Sequence, residues 1–404
     1  MSKIDLTNVG FETLMIHAGQ SPDKESGALA TPIYQTSTFC FETVEEGQGK
    51  FAKTIPGFVY SRSGNPTNRA LEMKIAALEG GEDAVATASG MGAIGAVMVA
   101  FLKTGDHVVC GDCVYGGTSV VMRTNLAQFG IDVSFVDTSD AAAVEAAIKP
   151  NTKLLYFETP TNPLMVVTDI KKMAAITKAK GIKLVVDNTF APPPLQYPIK
   201  LGADLVVHSV TKYLNGHGDV LGGLVVGSKT DIALVRGNGV TKICGTPPSP
   251  HSSFLVLRGM KTLSLRVRQH CNNAMAFAQY LAGNKYIKKV YYPGLAGHPQ
   301  HQLAKEQMNG YYTGMVAFEV DAINGLSSYD AGIKLLNTLT IPSIAVSLGD
   351  PDTLIQHPAS MTHASVPKEA REAASISDGL IRMSVGLENV EDLIADFDRA
   401  FASM

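Results

Sequence analysis

A lysine, an aspartate and a glycine-rich turn stand out in this sequence, because each follows a short apolar run. Lys212 ends Ser-Val-Thr-Lys, Asp187 ends Lys-Leu-Val-Val-Asp, and Gly90 begins Gly-Met-Gly. Each has an ordinary explanation alone: a solvated surface lysine, an aspartate that caps a turn, and a tight turn. A lysine can also form a Schiff base, an acid can keep a ring nitrogen protonated, and free N–H groups at a helix start bind phosphate. Pyridoxal phosphate needs all three, so the combination predicts this cofactor.

The elements that would position these residues lie between about residues 83 and 227, where apolar runs alternate with segments of helical period. The runs are rich in Val, Leu and Ile on both faces, which predicts strands of a covered sheet. They span 84–88, 107–110, 133–136, 153–157, 182–186, 205–207 and 224–226. Helices are predicted over 94–101, with Gly105 as a stop, and over 169–180, with Gly181 as a stop. The alternation predicts an α/β domain with a mainly parallel sheet.

In an open α/β sheet, ligands bind at the carboxyl ends of the strands. The polar segments that follow the apolar runs are therefore expected to form one site. They are residues 89–92, 112–115, 158–162, 187–188 and 209–212.

The texture of the sequence changes after residue 250. A long helical stretch over 252–281 precedes strand-like runs at 290–292, 315–320, 344–347 and 380–385. This pattern predicts a smaller α+β domain. We therefore divide the 404 residues into an arm over 1–64, a large cofactor-binding domain over 65–255 and a small C-terminal domain over 256–404.

Nine short motifs, in order along nearly the whole chain, resemble the cysteine/methionine-metabolism family of pyridoxal-phosphate enzymes. The run from Ser209 to Asp219, Ser-Val-Thr-Lys-Tyr-Leu-Asn-Gly-His-Gly-Asp, resembles the family's cofactor-lysine motif. The other motifs span 32–38, 60–67, 88–92, 158–163, 186–189, 345–349, 357–363 and 381–387. The resemblance implies the aspartate-aminotransferase-like fold known as fold type I.

The resemblance also implies roles for single residues in the large domain. Lys212 would carry the cofactor as a Schiff base and move protons on the substrate, and Asp187 would pair with the pyridine nitrogen. Tyr115 would stack on the cofactor ring and act as acid or base. The phosphate would be held by groups of Ser89, Gly90, Met91, Ser209 and Thr211.

Further implied contacts come from the arm and the small domain. Tyr60 and Arg62 would reach the phosphate of a neighbouring subunit, in a homotetramer built as a dimer of dimers. Arg382 would hold the substrate carboxylate in a bidentate pair, with help from Ser347 and Asn162.

The family's members catalyse several reactions, and the substrate pocket decides between them. Val346 stands where relatives that process cystathionine usually carry a glutamate, and it suits a methylthio group. This favours α,γ-elimination of L-methionine by a carbon–sulfur lyase. Gly117 instead resembles the pattern of cystathionine γ-lyases or γ-synthases, because members that cleave methionine typically carry a cysteine there. The Lys-Asp pair that accompanies this cysteine is also missing, and Thr241-Lys242 stands in its place. Elimination of cystathionine is therefore the second candidate, and γ-synthase or homoserine-ester sulfhydrylase activity the third.

Other classes of protein fit the sequence less well. Cys110-Gly-Asp-Cys113 is a C-x-x-C pair, but it straddles a strand end and has no suitably spaced histidines, so we expect no metal or redox site. A non-catalytic regulator would not need the complete set of cofactor residues. A net charge of −3 without basic clusters, and apolar runs too short for a bilayer, predict neither nucleic-acid nor membrane partners. Five cysteines, an odd number, favour reduced thiols and therefore a cytoplasmic protein. The resemblance implies a small-molecule amino-acid substrate.

Overall fold

The computed structural model describes residues 4–364, 366–373 and 375–404. Residues 1–3 of the predicted arm, and residues 365 and 374 of the predicted small domain, lie outside the described residues. The α-helices are α1 Phe11–His17, α2 Val44–Phe51, α3 Pro66–Glu79, α4 Gly90–Phe101, α5 Gly116–Val120, α6 Leu126–Gln128, α7 Ala141–Ala147, α8 Ile170–Lys180, α9 Lys229–Leu234, α10 Pro250–Met260, α11 Leu263–Ala282, α12 His301–Gln307, α13 Ser328–Thr338, α14 Lys368–Ala373 and α15 Val390–Ala402.

The larger of two sheets has seven strands and is mainly parallel, as predicted. Its strands are β1 Asp83–Thr87, β2 His107–Gly111, β3 Asp132–Val136, β4 Thr152–Glu158, β5 Lys183–Asp187, β6 Leu205–Ser209 and β7 Gly223–Gly227. They are ordered β1-β7-β6-β5-β4-β2-β3, and only β7 runs antiparallel to its neighbours. The sequence predicted all seven strands to within two residues at each end. Apolar clusters cover the sheet on both sides, which explains why its strands are apolar on both faces.

Side-chain caps decide where the two predicted helices begin. The Ser89 side chain accepts a hydrogen bond from the Gly92 N–H at 3.0 Å, so α4 starts at Gly90, four residues before the predicted start. Asp169 accepts from the Lys172 N–H in the same way at the start of α8. Helix α8 ends at Gly181, whose φ of 65° is the left-handed conformation that glycine adopts without strain.

The second sheet has five strands in the order β10-β11-β12-β9-β8. They are β8 Ile287–Tyr291, β9 Met315–Val320, β10 Ser343–Ile344, β11 Leu354–Gln356 and β12 Leu380–Ser384. The predicted strand over 344–347 is wrong at its end, because β10 stops at Ile344 and the chain turns away to place Val346 and Ser347 in a cavity. Strand β11 was not predicted, since three residues are too few to show an alternation.

The helix predicted over 252–281 is also corrected, because it is two helices. Helix α10 ends at Met260 and α11 begins at Leu263, with Thr262 outside helical geometry. The last carbonyl groups of α10 need donors, and Arg266 supplies one by donating to the Gly259 carbonyl at 2.9 Å. Arg266 also donates to the Tyr213 carbonyl at 2.9 Å, which ties this break to the segment that follows Lys212.

A buried lysine attaches the N-terminal helix α1 to the body of the protein. Lys74, on α3, is completely buried, and its ammonium group donates to the carbonyl oxygens of Met15 at 2.6 Å and Ile16 at 3.3 Å. These carbonyls lie in the last turn of α1, where the helix dipole favours a cation. Burial, together with the charge of Lys261, lowers the pKa of Lys74 to about 7.

The depressed pKa of Lys74 predicts that stability increases with pH above neutrality. Below about pH 7 the amine is charged in both states, whereas between pH 7 and 10.5 only the unfolded chain keeps the proton. Stability should then rise by up to about 1.4 kcal/mol per pH unit from this group. We expect the melting temperature of the wild type, minus that of Lys74→Met, to increase from pH 7 to pH 9.

The matched control is Lys171→Met, because Lys171 is exposed on α8. Its melting temperature should keep a constant difference from the wild type over the same range. A difference for Lys74→Met that does not change with pH would contradict the lowered pKa.

Candidate active site

A cavity of about 510 Å³ lies where the carboxyl ends of the large sheet meet the small sheet. This volume is in the range of small-molecule sites. All the predicted site residues except Tyr60 and Arg62 line it, which brings together Ser89, Gly90, Met91, Tyr115, Gly117, Asn162, Asp187, Ser209, Thr211, Lys212, Val346, Ser347 and Arg382.

Lys212 and Arg382 come from different sheets and meet at Ser347. The Lys212 amino group donates to the Ser347 hydroxyl at 3.0 Å, and the Arg382 guanidinium donates to the Ser347 carbonyl at 2.7 Å. Burial lowers the pKa of Lys212, and the nearby charge of Arg382 lowers it further, although Asp350 opposes the shift. These effects shift the Lys212 amine toward its neutral, nucleophilic form.

Arg382 is prepared for an anion. It is 5% exposed, its Nε has no hydrogen-bond acceptor, and burial lowers its pKa to about 10, so it stays charged at neutral pH. Gln356 is its register partner on the neighbouring strand β11, and the Gln356 Oε1 atom is also buried without a partner. A carboxylate in the cavity would satisfy the Arg382 donor, since arginine holds carboxylates in a bidentate pair.

The acidic side of the cavity is built from two neighbouring strand ends. Glu158 ends β4 and Asp187 ends β5, and the two residues are direct register partners. Burial raises the pKa of Asp187, although hydrogen bonds from Thr189 and Tyr156 oppose this shift. Burial, and next the charge of Asp187, raise the pKa of Glu158 well above its ordinary value. A protonated ring nitrogen beside Asp187 would favour its ionised form.

Asp187 also caps the turn that follows β5, as aspartates commonly do. One of its oxygens accepts from the Thr189 N–H at 3.0 Å, and the other accepts from the Tyr156 hydroxyl at 3.1 Å. The turn contact fixes the carboxylate, and the Tyr156 contact directs it from inside the sheet. Asp187 thus caps its turn and lines the cavity at once.

A backbone cradle suited to phosphate lies at the other end of the cavity. A Cβ atom built on Gly90 would lie 2.9 Å from the Ser209 Cβ, so only glycine allows the start of α4 to approach the segment before Lys212 this closely. Ser89 caps the helix, and Thr211 accepts from the Gly222 N–H at 3.3 Å. Helix start, hydroxyls and close backbone approach fit the phosphate of the predicted cofactor.

Tyr115 lies at the mouth of the cavity, with 54% of its surface exposed. Its backbone N–H donates to Glu158 at 2.6 Å, and it directly precedes helix α5. Asn162 lines the opposite segment, where its carbonyl accepts from the Cys113 thiol at 3.3 Å. Val346 is 57% exposed and forms part of the apolar wall.

Tyr60 and Arg62 do not line the cavity of their own chain. Tyr60 is 43% exposed and pairs with Thr38 in an isolated bridge. The Arg62 guanidinium donates to the Thr241 carbonyl at 2.8 Å. Their role at a neighbouring subunit therefore stays a prediction.

The C-x-x-C pair has the chemistry of buried thiols. Cys110 is fully buried in β2, and burial raises its pKa far above the ordinary value; burial also raises the pKa of Cys113 to about 11. Redox cysteines need the opposite shift, because the thiolate is the reactive form. Within residues 4–364, 366–373 and 375–404, no group of three or more His, Cys, Asp or Glu side chains is placed to hold a metal ion.

Four residues in or beside the cavity were not predicted from the sequence to have a role there. Glu158 was noted only as a strand-end polar residue, although it holds the Tyr115 backbone. Tyr156 lies inside β4, so its contact with Asp187 follows from strand register alone. Gln356 and Phe190 also line the cavity, and the pairing of β11 with β12 is what places Gln356 beside Arg382.

Comparison with known proteins identifies the family of the chain. The family model described as Cys/Met metabolism PLP-dependent enzyme matches residues 12–402. The chain is 49% identical to an L-methionine gamma-lyase of Porphyromonas gingivalis, with 100% of both chains covered. It is 50% identical to one of Fusobacterium nucleatum subsp. polymorphum, over 96% of this chain and 97% of that protein. A cystathionine beta-lyase of Lactococcus lactis is 46% identical, with 96% and 98% covered.

The solved structures extend the likeness to the fold. The structure of cystathionine gamma-lyase from Lactobacillus plantarum, complexed with L-serine, aligns with a TM-score of 0.90 and 42% identity, covering 98% of this chain and 99% of that chain. The predicted fold type I architecture is confirmed. The family match and the relatives together show that the chain belongs to the family of Cys/Met metabolism PLP-dependent enzymes.

Proposed function

We propose that this chain cleaves L-methionine by α,γ-elimination, with water, to methanethiol, 2-oxobutyrate and ammonia. The observation that carries the proposal is the joint contact of Lys212 and Arg382 with Ser347. It places the amine that would carry the cofactor and a guanidinium that can bind a carboxylate on the same serine, where the two functional ends of an α-amino acid would be handled. Several relatives named L-methionine gamma-lyase, at 44–50% identity over nearly the full chain, support the same activity.

Pyridoxal phosphate, when bound, supplies an electron sink for the charge that develops when the α-proton leaves. The chain would hold it through Lys212, through Asp187 at the ring nitrogen, and through the cradle at Gly90, with Ser209 and Thr211, at the phosphate. Arg382 would bind the substrate carboxylate and so orient the Cα–H bond toward Lys212.

Proton transfer falls to two side chains. The Lys212 amine, whose pKa is lowered by burial and by Arg382, would take the proton from the substrate Cα. It would give this proton up to the bound cofactor, and the amine so regenerated would take a second proton from Cβ. Tyr115 would donate a proton to the sulfur atom as the Cγ–S bond breaks. Glu158 would keep Tyr115 over the cavity by accepting from its N–H.

The choice of methionine rests on the wall near Val346. An apolar side chain there suits the methylthio group, whereas cystathionine carries a second charged amino-acid end at that place. The second candidate is cystathionine γ-lyase activity, and Tyr115-Gly116-Gly117 favours it. A cystathionine gamma-lyase of known structure that is 42% identical supports the same alternative. Transfer reactions of the synthase or sulfhydrylase type come third, and a cofactor-binding regulator is the non-enzymatic alternative.

The arm supplies support for an oligomer. Its apolar side chains Leu29, Val44 and Phe51 are 81%, 83% and 70% exposed, which is unusual for a monomer's surface. A homotetramer in which Tyr60 and Arg62 complete a neighbouring site would cover this surface. The five cysteines, all free, agree with a cytoplasmic location. The described residues include no helix long and apolar enough to cross a membrane.

Product analysis tests the substrate. We expect the purified holoenzyme to release methanethiol and 2-oxobutyrate from L-methionine with higher kcat/KM than it releases cysteine and 2-oxobutyrate from L-cystathionine. The reverse order would show that the segment around Gly117 outweighs Val346 and would move the assignment to cystathionine γ-lyase. A holoenzyme that binds the cofactor but turns over neither compound would favour the regulator.

Replacing Lys212 tests the cofactor assignment. Lys212→Ala should abolish turnover and the visible absorption band of lysine-bound cofactor, while noncovalent cofactor can still bind. Lys171→Ala, on the exposed face of α8, is the control and should keep both. Wild-type turnover by Lys212→Ala would refute the role of this lysine.

Replacing Tyr115 tests the proton donor. Tyr115→Phe removes only the hydroxyl, so kcat for elimination should fall by about 100-fold or more, as expected for loss of a general acid. The visible cofactor band should persist, because Lys212 is untouched. An unchanged kcat would take Tyr115 out of the acid role.

A further inference from the structure

Helix α5 begins with two adjacent glycines, Gly116 and Gly117, which occupy its first two positions after Tyr115. Glycine in a helix costs about 1 kcal/mol relative to alanine. Neither residue has a positive φ, so the backbone at both positions accepts an L side chain. Conformation therefore does not explain why glycine occurs at either position.

The surroundings of the two glycines differ sharply. A Cβ atom built on Gly117 would lie 2.7 Å from the Tyr115 Cε1 atom and 3.3 Å from its Cδ1 atom. The same Cβ would lie 3.0 Å from the Met91 sulfur. A Cβ built on Gly116 would meet no heavy atom within 4 Å. The space that a side chain would take at Gly117 is thus already occupied by the edge of the Tyr115 ring.

Two hydrogen bonds hold the backbone of Tyr115 in place. The Tyr115 N–H is held by Glu158 at 2.6 Å, and the Tyr115 carbonyl accepts from the Ser119 N–H at 2.9 Å. With the backbone held at both ends, the ring is free to turn only about its side-chain bonds. Because Gly117 has no side chain, the Tyr115 ring can pack directly against the backbone of α5, next to Met91 at the start of α4.

We propose that Gly117 is a positioning residue, which places the Tyr115 ring for its work on cofactor and substrate. This inference rests on the proposed function of Tyr115. The space that the missing side chain leaves at Gly117 is filled by the Tyr115 ring. A side chain at position 117 and this placement of Tyr115 exclude each other, so position 117 acts on the reaction through the ring.

The added methyl group should leave the fold intact. Tyr115 is 54% exposed, so its ring can swing away toward the cavity mouth without disturbing the core. Alanine also suits a helix better than glycine. We therefore expect the added methyl group to reduce kcat and to change the surroundings of the cofactor. A displacement of a catalytic group by about 1 Å can lower the rate about 100-fold.

The test compares Gly117→Ala with Gly116→Ala, which adds the same methyl group one residue earlier in the same helix. Both holoenzymes are assayed on whichever of L-methionine and L-cystathionine the wild type cleaves. We expect kcat of Gly117→Ala to fall between about 10- and 100-fold. We also expect its visible circular-dichroism band from the bound cofactor to change, and Gly116→Ala to stay within about twofold of the wild type.

A second comparison, in the Tyr115→Ala background, shows whether the effect passes through the ring. There Gly117→Ala should leave the circular-dichroism band unchanged, because no ring remains to be displaced. A wild-type kcat and band for Gly117→Ala would overturn the proposal, and so would an equal change in the Tyr115→Ala background. Failure of the proposed function would instead appear in the wild type, as no cleavage of either amino acid, while the circular-dichroism comparison would still test Gly117.

Discussion

The site depends on the burial of two cationic side chains beside each other. Lys212 arrives from the end of the large sheet and Arg382 from the small one, and Ser347 binds both. Like charges in a low-dielectric cavity repel each other, and this repulsion adds to the effect of burial in lowering the pKa of Lys212. Lys212 is thereby shifted toward its neutral form, while Arg382, whose pKa is lowered to about 10, remains charged at neutral pH and lacks an acceptor at Nε. The donor at Arg382 Nε, which has no acceptor, can be satisfied by the carboxylate of an α-amino acid.

The acidic residues sit opposite this pair for a topological reason. Parallel strands place all their carboxyl ends along one edge, so Glu158 and Asp187 become neighbours because β4 and β5 are neighbours. Burial, and next the charge of Asp187, raises the pKa of Glu158, and the hydrogen bond from the Tyr115 N–H opposes this shift. Tyr156 and Thr189 hold Asp187. The Asp187 carboxylate, which these two contacts already orient, would then pair with the protonated ring nitrogen of the cofactor.

Glycine sets the closest approaches around this site. At Gly90 the helix start lies against Ser209, and this contact joins the two backbone segments that we propose to hold the cofactor phosphate. At Gly117 the backbone lies against the Tyr115 ring. In both places the missing side chain makes room for protein atoms rather than for ligand, so a change of one methyl group would be felt as a displaced functional group.

The sequence by itself determined the seven strands of the large sheet, since strands covered on both faces need continuous apolar runs, and it determined most cavity residues, since the residues that follow such runs share one edge. It did not determine the second sheet in full, because β11 is too short to show a period and β10 ends where Val346 and Ser347 turn into the cavity. Only the tertiary structure decided that Tyr156 supports Asp187, that Gln356 lies beside Arg382, and that Tyr115 fills the space at Gly117. Some of these contacts join residues that are far apart in the sequence, and others depend on how a side chain rotates. Residue type and spacing predict neither kind of contact.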